Sequence, residues 1–158
     1  MSKQHTYELT IAWTGNRGSG TSAYDAYSRD HVVRVANKAA IEASSDPAFR
    51  GDAARHNPEE LFVASLSSCH MLWYLHLCAV NKIVVTGYVD DAVGIMQEDA
   101  NRSGRFADVM LRPRVTIGAG GDTALAARLH EEAHRFCFIA NSVNFPVRCE
   151  PSIDVSTA

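Results

Sequence analysis

Apolar and polar positions alternate with different periods along the chain, and each period implies a different element. Tyr7-Glu8-Leu9-Thr10-Ile11-Ala12-Trp13 alternates and is rich in β-formers, as a half-buried strand would be. A Gly-rich turn comes next over residues 14–20, and residues 21–27 read as a returning strand that closes a hairpin. Residues 31–41 fit a strand or a helix, residues 44–47 a turn, and residues 48–56 a polar loop. Asn57-Pro58-Glu59-Glu60 then opens a long helix that runs to Val80. Asn57 suits the N-cap, Pro58 the first helical position, and the two glutamates complement the helix dipole. From Leu61 on, apolar residues occupy nearly every face of that helix. A helix apolar all round is surrounded by protein, either a wrapped sheet or a partner subunit.

Residues 82–98 and 106–117 read as strands joined at the Asn101-Arg102-Ser103-Gly104 turn, a second hairpin. Asp122 is positioned to cap a second helix, in which Leu125, Leu129, Phe136 and Ala140 share roughly one stripe. Residues 148–155 fit a final strand. The order predicts one α+β domain over residues 1–158, with mostly antiparallel sheets, a long buried central helix and a second helix.

The bulk numbers narrow the function classes. At 158 residues the chain is long enough to bury a core, and its 46% hydrophobic and 21% charged residues are ordinary for a globular domain. A net charge of −3 with no basic stripe argues against nucleic acid or a membrane surface as a partner. The start of the chain lacks a signal-peptide pattern, and Ser65, Ser67, Ser68, His70 and His76 interrupt the longest apolar stretch, so the expected location is the cytoplasm. There the four cysteines are expected as free thiols, ligands or reactive groups rather than structural disulfides.

Cys69 lies in the middle of the long helix and Cys137 at the end of the second. A thiol becomes nucleophilic at neutral pH only where a nearby cation or a helix N-terminus lowers its pKa. Cys69 is nearly three turns past Asn57, so a guanidinium from a loop, from Arg17, Arg50 or Arg55, is the better device. His70 is adjacent but points about 100° away. Cys78 lies about 180° around the helix from Cys69 and reads as packing, and Cys149 in the last strand reads the same way. Trp73, Phe62 and Phe145 read as core or as walls of an apolar pocket. His130, His134 and Cys137 share a helix face at zinc-ligand spacing, a weaker alternative. No motif calls for a metal or organic cofactor.

The strings His56-Asn57-Pro58-Glu59-Glu60-Leu61 through Cys69-His70, and Phe136-Cys137-Phe138-Ile139-Ala140-Asn141-Ser142, resemble the OsmC/Ohr family of thiol peroxidases. There an Asn-Pro-Glu segment opens the central helix, the first cysteine comes ten residues after the glutamate, and a second lies near the end of a later helix. The resemblance spans nearly the whole chain. It implies an intertwined homodimer with a site at its interface, and reduction of organic peroxides in oxidative-stress defence, with hydrogen peroxide open as a further substrate. Cys69 resembles the peroxidatic cysteine and Cys137 the resolving one. Glu59 matches the glutamate that holds a catalytic arginine, for which Arg50, favoured slightly, and Arg17 both resemble family positions. The reductant it implies is an external dithiol, with a dihydrolipoyl group as the family's candidate. Family members commonly carry proline after the resolving cysteine, and here Phe138 stands instead. The residues alone leave a second reading open, a dimeric small-ligand-binding protein whose cysteines are incidental.

Overall fold

The computed structural model describes residues 3–157. These divide into two compact units, one ending at Leu61 and one beginning at Phe62. The first carries a three-stranded antiparallel sheet ordered β1-β2-β3, from β1 (Thr10–Trp13), β2 (His31–Arg34) and β3 (Ile41–Ala43). Ile11 faces Val33, and Val33 in turn faces Ile41.

The returning strand is β2 and not residues 21–27, which form turns and bends. The reason lies in how the loop closes on itself. Thr14 N donates to Asp30 O and Ser28 N to Gly15 O, each at 2.9 Å, while Trp13 Nε1 donates to Ser28 O at 2.9 Å. The pairing expected to begin at Thr21 is thereby delayed to His31. Gly15 is needed there, because a Cβ would land on the Ser28 carbonyl.

Helix α1 (Pro58–Val80) begins in a reciprocal cap: Glu60 N donates to Asn57 Oδ1 at 2.8 Å and Asn57 N to Glu60 Oε2 at 3.2 Å. It is long and apolar enough to span a membrane by length and composition alone. Its Leu66, His70, Tyr74, Leu77 and Cys78 are nevertheless buried in protein.

In the second unit the remaining strands are β4 (Val85–Asp90), β5 (Val93–Glu98), β6 (Gly104–Leu111), β7 (Pro113–Ile117), β8 (Val147–Cys149) and β9 (Ser152–Val155). They form two sheets, β4-β7-β9 and β5-β6-β8. Each of the three stretches expected as one strand is therefore two, and the chain passes from one sheet to the other at every break. The breaks have local causes. Arg112 N leaves the ladder and donates to Asp90 Oδ1 at 2.6 Å, and Pro113 starts β7, where its missing donor is tolerated. Pro151 likewise separates β8 from β9. Pairs β4–β7 and β5–β6 are antiparallel, whereas β6–β8 and β7–β9 are parallel, so the sheets are mixed but mostly antiparallel across the chain.

Helix α2 (Thr123–Phe136) is capped as expected, with Leu125 N donating to Asp122 Oδ1 at 2.9 Å. Its buried face is Ala126, Leu129, His130 and Ala133. The predicted stripe is thus rotated: Leu129 is on it, but Phe136 is exposed. Small alanines let α2 approach closely, so Tyr74, Leu77 and Cys78 pack with Ile83, Val115, Ile117 and Leu129 in one cluster. A second cluster gathers Leu66, Val109 and Leu111 with Phe62, Phe106 and Phe145. The two cores position the facing sides of α1 and α2, and with them the thiols and imidazoles those helices carry.

Candidate functional site

Cys69 is half-buried on α1, and Cys137 is the buried C-cap residue of α2. The two thiols, 68 positions apart in the chain, lie close enough for Cys69 to raise the Cys137 pKa. Cys137 is held by its own surroundings: its N–H donates to His134 O at 3.3 Å, and its sulfur accepts from Ala140 N at 3.4 Å. Burial pushes the Cys137 thiol up to about 11. The Ala140 amide opposes that shift, and Cys69 adds to it. Cys137 is therefore protonated at neutral pH and suits a thiol that responds rather than attacks.

Phe138 stands where the resemblance implies proline. It turns outward and meets Trp73 edge-on with centroids 5.6 Å apart, while Phe136 stacks on the same indole at 5.2 Å. Trp73 walls this neighbourhood, one turn beyond Cys69, whereas Phe62 and Phe145 belong to the core. Cys78 is fully buried among apolar residues, as its position implied.

The expected cationic partners lie in the first unit. Arg17 is exposed in the Gly-rich loop, which Asn16 braces by accepting from Gly18 N at 2.9 Å and Gly20 N at 3.0 Å. Arg50 comes directly after a short 3-10 turn at Pro47–Phe49 and holds a left-handed backbone, φ 64°, with its guanidinium 5.6 Å from the Tyr24 ring. Arg55 is engaged with Glu42 at 2.6 Å and with Asp52 and Asp30 at 3.6 and 4.0 Å, so it ties loops together. Glu59 Oε2 is buried and has no hydrogen-bond partner among the described residues.

A second polar group was not foreseen. His70 and His130, 1% and 2% exposed, face each other across α1 and α2 with Nε2 and Nδ1 3.0 Å apart. The Cys149 sulfur lies 3.7 Å from the former nitrogen and 3.9 Å from the latter. Burial holds the imidazoles neutral, with pKa values lowered to about 4 for His70 and about 3 for His130, and it pushes the Cys149 thiol up to about 12. Tyr74 stacks on His130 at 3.8 Å, and the buried hydroxyls of Tyr74 and Tyr88 have no partner among the described residues. Among the described residues, His130 groups with His70 and Cys149 and not with His134 and Cys137, the set suggested by helix spacing. His134 is exposed, and the Cys137 sulfur accepts from Ala140 N and lies near Cys69. The signal available in sequence was position: His70 sits four residues from both Leu66 and Tyr74, and His130 four from Ala126, each on a face that must be buried.

A family model described as OsmC-like protein matches residues 51–152, the greater part of the chain. The chain belongs to the OsmC family. Among solved structures, an OsmC-like protein of unknown function from Vibrio cholerae is 32% identical, with 94% of this chain and all of that one covered and a TM-score of 0.85. An organic hydroperoxide resistance protein from Elizabethkingia anophelis is 19% identical over 99% of this chain and all of its own, TM-score 0.70. A Legionella pneumophila structure described as an organic hydroperoxide resistance protein OsmC and predicted redox protein is 17% identical over 98% of this chain and all of its own, TM-score 0.69. The latter two likenesses establish the OsmC fold. Among curated proteins nothing matches the chain.

Proposed function

We propose that this OsmC-family protein is a thiol-dependent peroxidase that reduces organic hydroperoxides through Cys69 and Cys137. The observation that carries the reading is the meeting of those two thiols, one from the middle of α1 and one from the end of α2, with the second held protonated. The Cys69 thiolate attacks the distal oxygen of ROOH; the O–O bond breaks, ROH leaves, and Cys69 becomes a sulfenic acid. The Cys137 thiol condenses with it, forming the disulfide and releasing water. An external dithiol, of which a dihydrolipoyl group is one candidate, then reduces that disulfide by exchange and is itself oxidised to a disulfide.

Glu59 holds an arginine, Arg50 in preference to Arg17, whose planar donors stabilise the thiolate and bind the peroxide oxygens. The unpartnered Glu59 Oε2 supports this role, because a buried carboxylate oxygen without a donor is costly to keep. The protein works as a homodimer with the site completed at the interface, in the cytoplasm, where free thiols persist. Exposed Leu72 (63%) and Phe138 (68%) beside the Cys69 face favour that arrangement, since such residues gain from being covered.

Stopped-flow consumption of cumene hydroperoxide by reduced protein tests the reading. Wild type consumes one equivalent rapidly and yields a peptide cross-linked between residues 69 and 137, two hydrogens lighter by mass. Equal consumption by Cys69→Ser would remove the proposal.

A further inference from the structure

Apart from the redox pair, α1, α2 and β8 bring two imidazoles and a thiol to one point in the core. We propose that His70, His130 and Cys149 form a binding site for one divalent ion of the zinc class, distinct from the Cys69–Cys137 pair.

The first support is geometric. The three candidate ligand atoms all lie within 4.8 Å of one another, with edges of 3.0, 3.7 and 3.9 Å. A tetrahedral zinc-class ion with nitrogens at about 2.0–2.1 Å and sulfur at about 2.3 Å spaces its ligand atoms about 3.3–3.6 Å apart. Each observed edge falls within about 0.4 Å of that range.

The second support is hydrogen-bond accounting. Without an ion, one proton is shared between His70 Nε2 and His130 Nδ1. That one proton satisfies the two nitrogens at 3.0 Å, while the Cys149 sulfur makes only long contacts, at 3.7 and 3.9 Å, so the centre of the cluster is rich in lone pairs and short of donors. Two histidines packed this tightly against a thiol are poorly compensated by their own contacts. An ion takes both facing nitrogens and the sulfur as ligands at once. Both imidazoles are already in the neutral form that coordination requires, and only the Cys149 proton must leave to solvent. Imidazole and thiolate select zinc, cobalt or nickel over magnesium or calcium.

Three protein ligands leave a coordination position open. His130 and Cys149 also line a cleft of about 560 Å³, whose rim carries Arg128, Glu131, His134 and Arg135, and this gives the ion a route in.

Cobalt(II) is the probe. Reduced, metal-stripped full-length protein dialysed against Co²⁺ is expected to bind one ion per chain and to develop a thiolate-to-cobalt charge-transfer band. Cys149→Ser loses the band and His130→Ala loses the ion, while Cys69→Ser and His134→Ala keep both. Zn²⁺ is expected to displace the cobalt and to protect Cys149 of the wild type from iodoacetamide, read by peptide mass. That protection requires no variant to fold. Absence of bound cobalt in folded wild type, an unchanged band in Cys149→Ser, or equal alkylation of Cys149 with and without Zn²⁺ would each overturn the site. Because Cys69→Ser is a bystander here, loss of peroxidase activity and loss of metal binding are separable results.

Discussion

At the scale of single residues, the two arginines resembling the catalytic one differ in how the chain holds them. Arg17 is exposed in a glycine-rich loop and carries no backbone strain. Arg50 sits at φ 64°, a region costly for a residue with a Cβ, and is pinned there by its N–H donating to Pro47 O at 3.0 Å. Gly51 fixes the exit of the chain from this turn, because a Cβ there would land on the Ser45 carbonyl. Asn37, Lys82 and Arg102 take the same left-handed region, so what distinguishes Arg50 from Arg17 is a turn fixed by its own hydrogen bonds against a glycine-rich loop. Arg50→Ala is therefore expected to lower kcat/KM for cumene hydroperoxide by about 100-fold, the scale of removing one preorganised donor from a developing oxyanion. Arg17→Ala should change it by less than about threefold on the same reasoning. The reverse ranking would transfer the role to Arg17.

At the scale of elements, the start of α1 was the most legible feature of the chain because its signals are local. Asn57, Pro58 and Glu60 act within one turn, and the reciprocal cap they form needs nothing distant. Asn57→Ala should cost about 1 kcal/mol of unfolding free energy, the usual loss for an N-cap, and appear as a lower urea midpoint with an unchanged slope. An unaltered midpoint would mean the cap is redundant with tertiary packing. The strands were less legible, since what ends them is not local. Residues 106–117 form one β-rich run in sequence, and the break at Arg112 depends on Asp90, which accepts Arg112 N and also Ser67 Oγ at 2.5 Å. Residues 21–27 failed as a strand for a similar reason, because Ser28 and Asp30 bond back to Gly15 and Thr14 and consume the pairing partners. The thiol pair lay between these cases. Helix periodicity placed Cys69 and Cys137, but only the packing of α2 on α1 brings them together. In sequence Cys149 reads as packing, because Arg148 and Glu150 beside it give no ligand pattern; its partners come from 79 and 19 positions away.

At the scale of the whole molecule, α1 offers apolar residues on more faces than one chain covers: Leu72 and Val80 remain 63% and 61% exposed. With the exposed Phe136 and Phe138, they favour a second copy as the covering surface. Light scattering coupled to size exclusion should return twice the 17.2 kDa chain mass. A monomer at micromolar concentration would leave the interface site without support. The buried imidazoles set a different global property, the response to acid. In metal-stripped protein, burial lowers His70 to about 4 and His130 to about 3 from an unfolded value near 6.5. Asp90 faces His70 and opposes part of its shift, His134 adds to it, and the two imidazoles disfavour each other's charge. Above about pH 7.5 both are essentially neutral in the folded and unfolded chain, so neither makes stability pH-dependent. Below it the unfolded chain takes up protons that the folded chain refuses, and stability falls until the folded values are reached. By about pH 5 the loss should be on the order of 2 kcal/mol per imidazole, seen as a fall in the urea midpoint between about pH 7.5 and pH 5. His130→Phe keeps a ring against Tyr74, stacked at 3.8 Å in the wild type, and removes one of the two titrating groups, so it should flatten that fall by about half. An acid response identical to wild type in that variant would assign the effect to carboxylates instead.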